Sequence, residues 1–439
     1  MSKYYWVLGV KVLAAAFITA LLLSLLAGTL IVGKVQAATE VTGIIFSDIT
    51  WTKANSPYNI TGPTAIAKGV TVTIEPGAVV HFNTNTLEVN GTLRAIGTNA
   101  EPITLNGDYR GRLPVFGSSD YNGILEFTSE SNSWNAQTGT GCIIENANVI
   151  SLSIYIHDVS VKLNDNVFSG YYAWGTVDVD GGESVISNNE ITGGSLSIGG
   201  GSPLVSDNTV ICQSINVNGG SPSILNNLLQ TGISVSGDSN VRIANNIIAY
   251  GKGFAATNGN VTFEHNLVLY CSGGCSLNSE ASVIIQNNTI AFNEYGIQSA
   301  QSSAKIIYNN LENNTEYNLS LGSSSNFDAT YNWWGTTDSS AISETIVDYK
   351  NNYNLGNVTF IPFLNELNPQ APLISSFVEP SPSPSPSQSP TSTPSPTATP
   401  TPTPTQEPSP FPTTLVISSV VTVTVIGLGL LFYFKKRKY

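Results

Sequence analysis

Ile243-Ala-Asn-Asn246-Ile-Ile, followed by Phe263-Glu-His-Asn266-Leu-Val and Ile285-Gln-Asn-Asn288-Thr-Ile, decides the fold of this 439-residue chain. The same signature runs upstream through Val161-Lys-Leu-Asn-Asp-Asn166-Val-Phe, Val185-Ile-Ser-Asn-Asn189-Glu-Ile, Leu204-Val-Ser-Asp-Asn208-Thr-Val and Ile224-Leu-Asn-Asn227-Leu-Leu. It ends downstream with Ile307-Tyr-Asn-Asn310-Leu and Ala329-Thr-Tyr-Asn332-Trp-Trp. The last asparagine of each unit steps by 23, 19, 19, 19, 20, 22, 22 and 22 residues. Self-similarity at this period marks a solenoid or array.

Each unit holds short alternating runs such as Leu196-Ser-Ile198, Ile215-Asn-Val217 and Ile233-Ser-Val235. Period-2 alternation of β-branched residues is strand chemistry. Gly-rich turns such as Gly199-Gly-Gly-Ser-Pro203 separate the runs, and no unit carries ten residues of helical periodicity. One unit is therefore one coil of a parallel β-helix, an all-β fold. Coils stack at ~4.8 Å, so the asparagine recurs above itself. Asparagine tolerates the left-handed turn conformation, and its amide can bond the amide of the next coil as a ladder. These asparagines are read as structural.

Upstream coils are less regular: Val70–Val80, Leu87–Leu93, Ile124–Phe127 and Cys142–Ala147, with protruding loops at 107–123 and 128–141. About thirteen coils make a rod on the order of 60 Å long. Residues 38–66 and 336–367 are expected to cover its two ends, as stacked coils require.

The ends of the chain give its address. Lys3 and Lys11 precede an apolar run, Val12 to Val32, and Val35-Gln36-Ala37 has the small-residue pattern of a cleavage site. Residues 1–37 read as a cleaved signal peptide or an uncleaved signal anchor. Residues 415–434 are apolar and uncharged, and Lys435-Lys436-Arg437-Lys438 follows. That is a transmembrane stop-transfer segment with a basic cytoplasmic tail at 435–439. Residues 368–414, dominated by Pro, Ser and Thr, form a polyproline-rich stalk. The expected location is the extracellular face of a cell membrane.

Seventeen basic and 30 acidic residues are present, and seven of the basic ones lie in the first 34 residues or the tail. The exported part is thus strongly acidic, which excludes nucleic acid as a partner. Asn59, Asn90, Asn260, Asn287, Asn313, Asn318 and Asn357 stand in Asn-x-Ser/Thr sequons, candidate glycosylation sites.

The opening Trp51–Gly62 and Gly69–Gly77, and the closing Tyr331–Asp338 through Leu364, resemble those of archaeal right-handed parallel β-helix surface proteins. The middle resembles the parallel β-helix repeats of pectate-lyase-like and NosD-like proteins. The resemblance covers about residues 38–367. It implies a right-handed, single-stranded parallel β-helix. For function it implies a choice among lyases, hydrolases and adhesins, because this solenoid hosts all of them.

Chemistry concentrates in Tyr171-Tyr172-Ala-Trp174-Gly-Thr-Val-Asp178-Val-Asp180. Asp178 and Asp180 differ by two and share a strand face. Asp158 precedes Asp178 by 20 residues and is expected one coil below it. Tyr171, Tyr172 and Trp174 suit stacking on a sugar, and paired carboxylates are what glycoside hydrolysis needs. Lys162 is the one basic residue near this register, which disfavours a lyase needing a base beside bound Ca²⁺. His81, His157 and His265 lack metal-ligand spacing. No cofactor is expected, Ca²⁺ being the one candidate ion. Cys271 and Cys275 are the candidate disulfide. Trp333 and Trp334 are expected to close the core. The leading expectation is non-catalytic binding of extracellular polysaccharide or surface glycans. A polysaccharide lyase or hydrolase, with Asp158, Asp178 and Asp180 catalytic, is the alternative, and a structural envelope component the third.

Overall fold

The computed structural model describes residues 38–107, 123–170, 176–278, 281–300 and 304–377. The segments 1–37, 415–434 and 435–439, most of the stalk, and Tyr171, Tyr172 and Trp174 lie outside them. Among the described residues no helix is long and apolar enough to cross a membrane.

The chain winds as a three-sided parallel β-helix. Sheet I has twelve strands, from Ile49–Trp51 to Lys305–Ile307, so the solenoid has twelve turns. Sheet II is a ladder from Val79–His81 to Asn310–Glu312, and sheet III a ladder from Thr86–Val89 to Tyr317–Leu321 and Ile346–Val347. Sheets II and III share their first two strands, Thr39–Ile45 and Tyr58–Ile66, which pair with each other and bend across both. One strand passes from sheet I to II to III within each coil. Alternation then sends every second side chain inward. Ile186, Val205, Ile224, Ile243, Phe263, Ile285 and Ile306 stack this way from sheet I, none exposed. Each such side chain contributes about 1.5–3 kcal/mol on burial.

The corner between sheets I and II holds the asparagines. Asn166, Asn189, Asn208, Asn227, Asn246, Asn266, Asn288, Asn309 and Asn332 are at most 2% exposed. Each Nδ2 donates to the Oδ1 of the next at 2.9–3.2 Å. Each backbone N–H donates to that same Oδ1 at 2.8–3.0 Å. The left-handed conformation belongs to the residue just before: Asp165, Asn188, Asp207, Asn226, Asn245, His265, Asn287, Tyr308 and Tyr331, at φ 54–60°. The two properties expected of one asparagine are thus divided between neighbours. The inward residue of sheet I sets the count, with the ladder asparagine three residues on. For that reason Asn309, three after the buried Ile306, takes the ladder place, and Asn310 passes into sheet II.

The C-terminal end is closed. Helix α1 (Ser339–Glu344), capped by Asp338, buries Ile342 in the core, which also takes in Trp334; Phe360 and Phe363 pack against that core, Phe360 edge-on to Trp334. Trp333 donates from Nε1 to Glu312 at 3.4 Å. Residues 368–377 are not stalk, as their Pro and Ser content implied: they fold back along the outer face of sheet II. Asn368 bonds Asn310 at 2.9 Å and Asn287 at 3.0 Å, and Thr289 donates to the Pro372 carbonyl at 2.6 Å. Ile374 and Phe377 then cover Ala249, Leu267, Leu269 and Ala291. The reason lies in these four outward positions, which form one contiguous apolar patch on neighbouring coils.

Candidate functional site

Sheet III carries three acidic residues, Glu88, Glu126 and Asp178, outward in one column. Strand pairing stacks Glu88 under Glu126, Glu126 under Tyr155, Tyr155 under Asp178, and Asp178 under Ser197. Beyond them the column continues as Asn216, Ser234, Ala255, Ser276, Gln298 and Ser320. No Lys or Arg lies on any strand of this sheet. The basic strand residues Arg94, Lys162, Arg242 and Lys305 share an outward column on sheet I instead. Lys162 is therefore on another face, where it pairs with Glu145 at 2.8 Å and sits over the Trp134 ring.

His157 follows directly on the strand Leu152–Ile156, two residues past Tyr155. Its Nδ1 lies 3.1 Å from Asp180 Oδ2 and its Nε2 3.5 Å from Glu126 Oε1. Its ring is stacked in parallel with Tyr155, 6.2 Å away. The imidazole thus joins carboxylates of two coils that flank its own. Burial raises the Asp178 carboxyl above its ordinary value, and the neighbouring Asp180 charge adds to this. The Ser197 hydrogen bond and His157 work the other way. One carboxyl that resists ionisation therefore stands in this column.

Asp178 and Asp180 come together as the sequence predicts, but Asp158 does not. The residue one coil below Asp178 is Tyr155, 23 positions back, because this coil is a long one. Asp158 instead sits at the corner after sheet III, at φ 51°, beneath Gly181. A Cβ on Gly181 would fall 2.8 Å from the Asp158 Cα, so glycine is what this backbone crossing accommodates. Sequence reasoning missed Glu88, Glu126, Tyr155 and His157. A signal existed: Ile124-Leu-Glu-Phe127 and Leu152–Ile156 alternate in the same phase, but the intervening loop hid their registration.

Cys271 and Cys275 form no disulfide; both are buried free thiols. Cys275 faces the core between Phe254 and Ile297, whereas Cys271 turns its Sγ to the Ile248 and Leu269 carbonyls. Burial pushes the Cys271 thiol up to about 11. Among the described residues no group of three or more His, Cys, Asp or Glu side chains is placed to hold a metal ion. Of the sequon asparagines, Asn260, Asn313 and Asn357 are exposed, and Asn59, Asn90 and Asn287 are half-buried. Asn318 is 2% exposed, which leaves a glycan no room there.

A family model described as a right-handed β-helix region matches residues 213–333. The chain is accordingly an all-β, right-handed parallel β-helix solenoid over its described body. Comparison with curated proteins and with solved structures returned no match.

Proposed function

We propose that this is a membrane-tethered protein of the extracellular face that binds glycan along sheet III without chemistry. One observation carries the reading: the outward column of sheet III joins an acidic and aromatic head, Glu126, Tyr155, His157, Asp178 and Asp180, to a strip of small hydroxyl and amide side chains. A saccharide offers hydroxyls that both donate and accept, and C–H faces that pack on rings. The column matches the first with carboxylates, Ser and Asn, and the second with Tyr155. Tyr171, Tyr172 and Trp174 lead in sequence into the strand of Asp178 and are further candidates for stacking. The tether supports the same reading, since an apolar span beyond a Pro-rich stalk would hold the binding face outside the cell.

The test is a glycan array probed with residues 38–377. Binding that falls on Tyr155→Ala or Asp178→Ala supports the assignment. No binding to any saccharide, or binding that ignores both changes, removes it.

A second reading has its own observation. Glu126 and Asp178 lie two coils apart with Tyr155 between them, a separation of about 9–10 Å by strand spacing. Inverting hydrolysis uses carboxyl pairs roughly 6.5–9.5 Å apart, one of them protonated. Asp178, with its raised pKa, would be the acid and Glu126 the base. Product release from oligosaccharides that disappears in Glu126→Gln and Asp178→Asn, with binding retained, would establish this reading over the first.

A further inference from the structure

The two ends of the solenoid are finished differently. At the C-terminal end α1, Trp334, Phe360 and Phe363 lie over the last coil. At the other end, among the described residues, Thr39–Ile45 pairs with Tyr58–Ile66 alone and Ile49–Trp51 with Thr71–Ile74 alone. Residues 38–66 are therefore not a cap; they are the first rungs. Each strand of a parallel ladder bonds to both sides, so the outer side of the first rung presents N–H and C=O groups with no strand partner among the described residues. Three large apolar side chains belong to this rung: Ile44 is 56% exposed, Phe46 76% and Ile49 45%. An uncovered edge with apolar side chains is a template for another strand.

We propose that this end is a self-association surface whose occupant is the same end of a second copy, with Thr39–Ile45 pairing antiparallel to its counterpart about a two-fold axis. Three features choose that occupant. The opposite end is closed, so head-to-tail stacking has no second edge to use, whereas an end-to-end pair satisfies both edges at once and stops there. A two-fold near Thr42 sets Glu40 opposite Ile44, so the acidic residue does not face itself. The rung begins at Thr39, two residues after Ala37. A chain processed at that small-residue site keeps nothing but Ala38 to lay over the edge, and this third feature rests on that reading of the leader.

The experiment uses the exported full chain in detergent, its N-terminus read by mass spectrometry. Thr42→Cys is oxidised and compared with Tyr353→Cys, a position 79% exposed near the closed end. A disulfide-linked dimer is expected from Thr42→Cys and not from Tyr353→Cys. Adding Ile44→Lys and Phe46→Lys lowers the dimer yield by about tenfold or more. The thermal transition stays in place, because both side chains are exposed. Equal yields from Thr42→Cys and Tyr353→Cys overturn the proposal, as does a yield that survives the lysine changes. If the exported chain keeps residues 1–37 and dimerises only after their removal, the edge belongs to the chain's own leader and the second copy is excluded.

Discussion

The asparagine corner and the outer face of sheet III arise from the same operation, one position repeated at every coil, and they end in opposite states. At the corner identical groups are complementary. A carboxamide donates and accepts, so Asn227, Asn246 and Asn266 bond one another, and each spare Nδ2 hydrogen goes to a carbonyl of the neighbouring coil. On sheet III identical groups conflict. Glu88 stands directly under Glu126, and an ionised carboxylate can accept but not donate. That column needs Tyr155, His157, Ser197 and solvent to separate and bond its acids. Stacking like residues is thus self-sufficient in one region, while in the other it leaves polar capacity for something outside the chain.

The comparison breaks most severely if the corner is given the chemistry of the sheet. Asn246→Asp places a buried carboxylate against the carbonyls of Ile224 and Ala244, which now accept from Nδ2 at 2.9 and 3.1 Å. A loss of about 3–5 kcal/mol is expected, the cost of an uncompensated buried charge, measured by urea unfolding of residues 38–377. Asn245→Val comes next. Its neighbour's bonds are untouched, but a β-branched residue enters a left-handed backbone at φ 57°, at a cost of about 1–2 kcal/mol. A value near zero for either would mean that the corner is not held by the division of labour between the two residues.

Changes on sheet III should spare stability and alter binding. Tyr155→Ala is expected to weaken saccharide binding by about tenfold, read by calorimetry on an array hit. The smallest effect sharpens the electrostatics. The Asp178 carboxyl has a folded pKa above its unfolded one, so the folded state holds its proton more tightly. The stability this contributes is complete below the unfolded value near 3.8 and is lost as pH rises through the folded one. Asp178→Asn should therefore flatten the decline in melting temperature just above pH 4, seen by calorimetry at matched ionic strength. A slope unchanged by the substitution would place the carboxyl in ordinary water.

How much of this was legible follows from what each feature depends on. The coil, its length and its three strands were written in the asparagine period and in runs such as Ile233-Ser-Val235, because stacked repeats make local pattern and global fold the same statement. The register across loops was not. Asp158 and Asp178 differ by 20 residues, close to the commonest coil length, yet this coil takes 23, and Tyr155 received the place assigned to Asp158. The union of His157 with Asp180 and Glu126 depends on that same register.

By itself, then, the sequence determined a stack of short parallel strands with one buried amide in each coil, since that amide finds a matching donor and acceptor in its own image one coil away. Tertiary structure alone decided which acids meet on sheet III, which of Asn309 and Asn310 joins the ladder, and that residues 368–377 return along sheet II. These outcomes depend on coil lengths summed in space and on apolar patches that only the folded surface brings together. A pattern one coil wide contains neither.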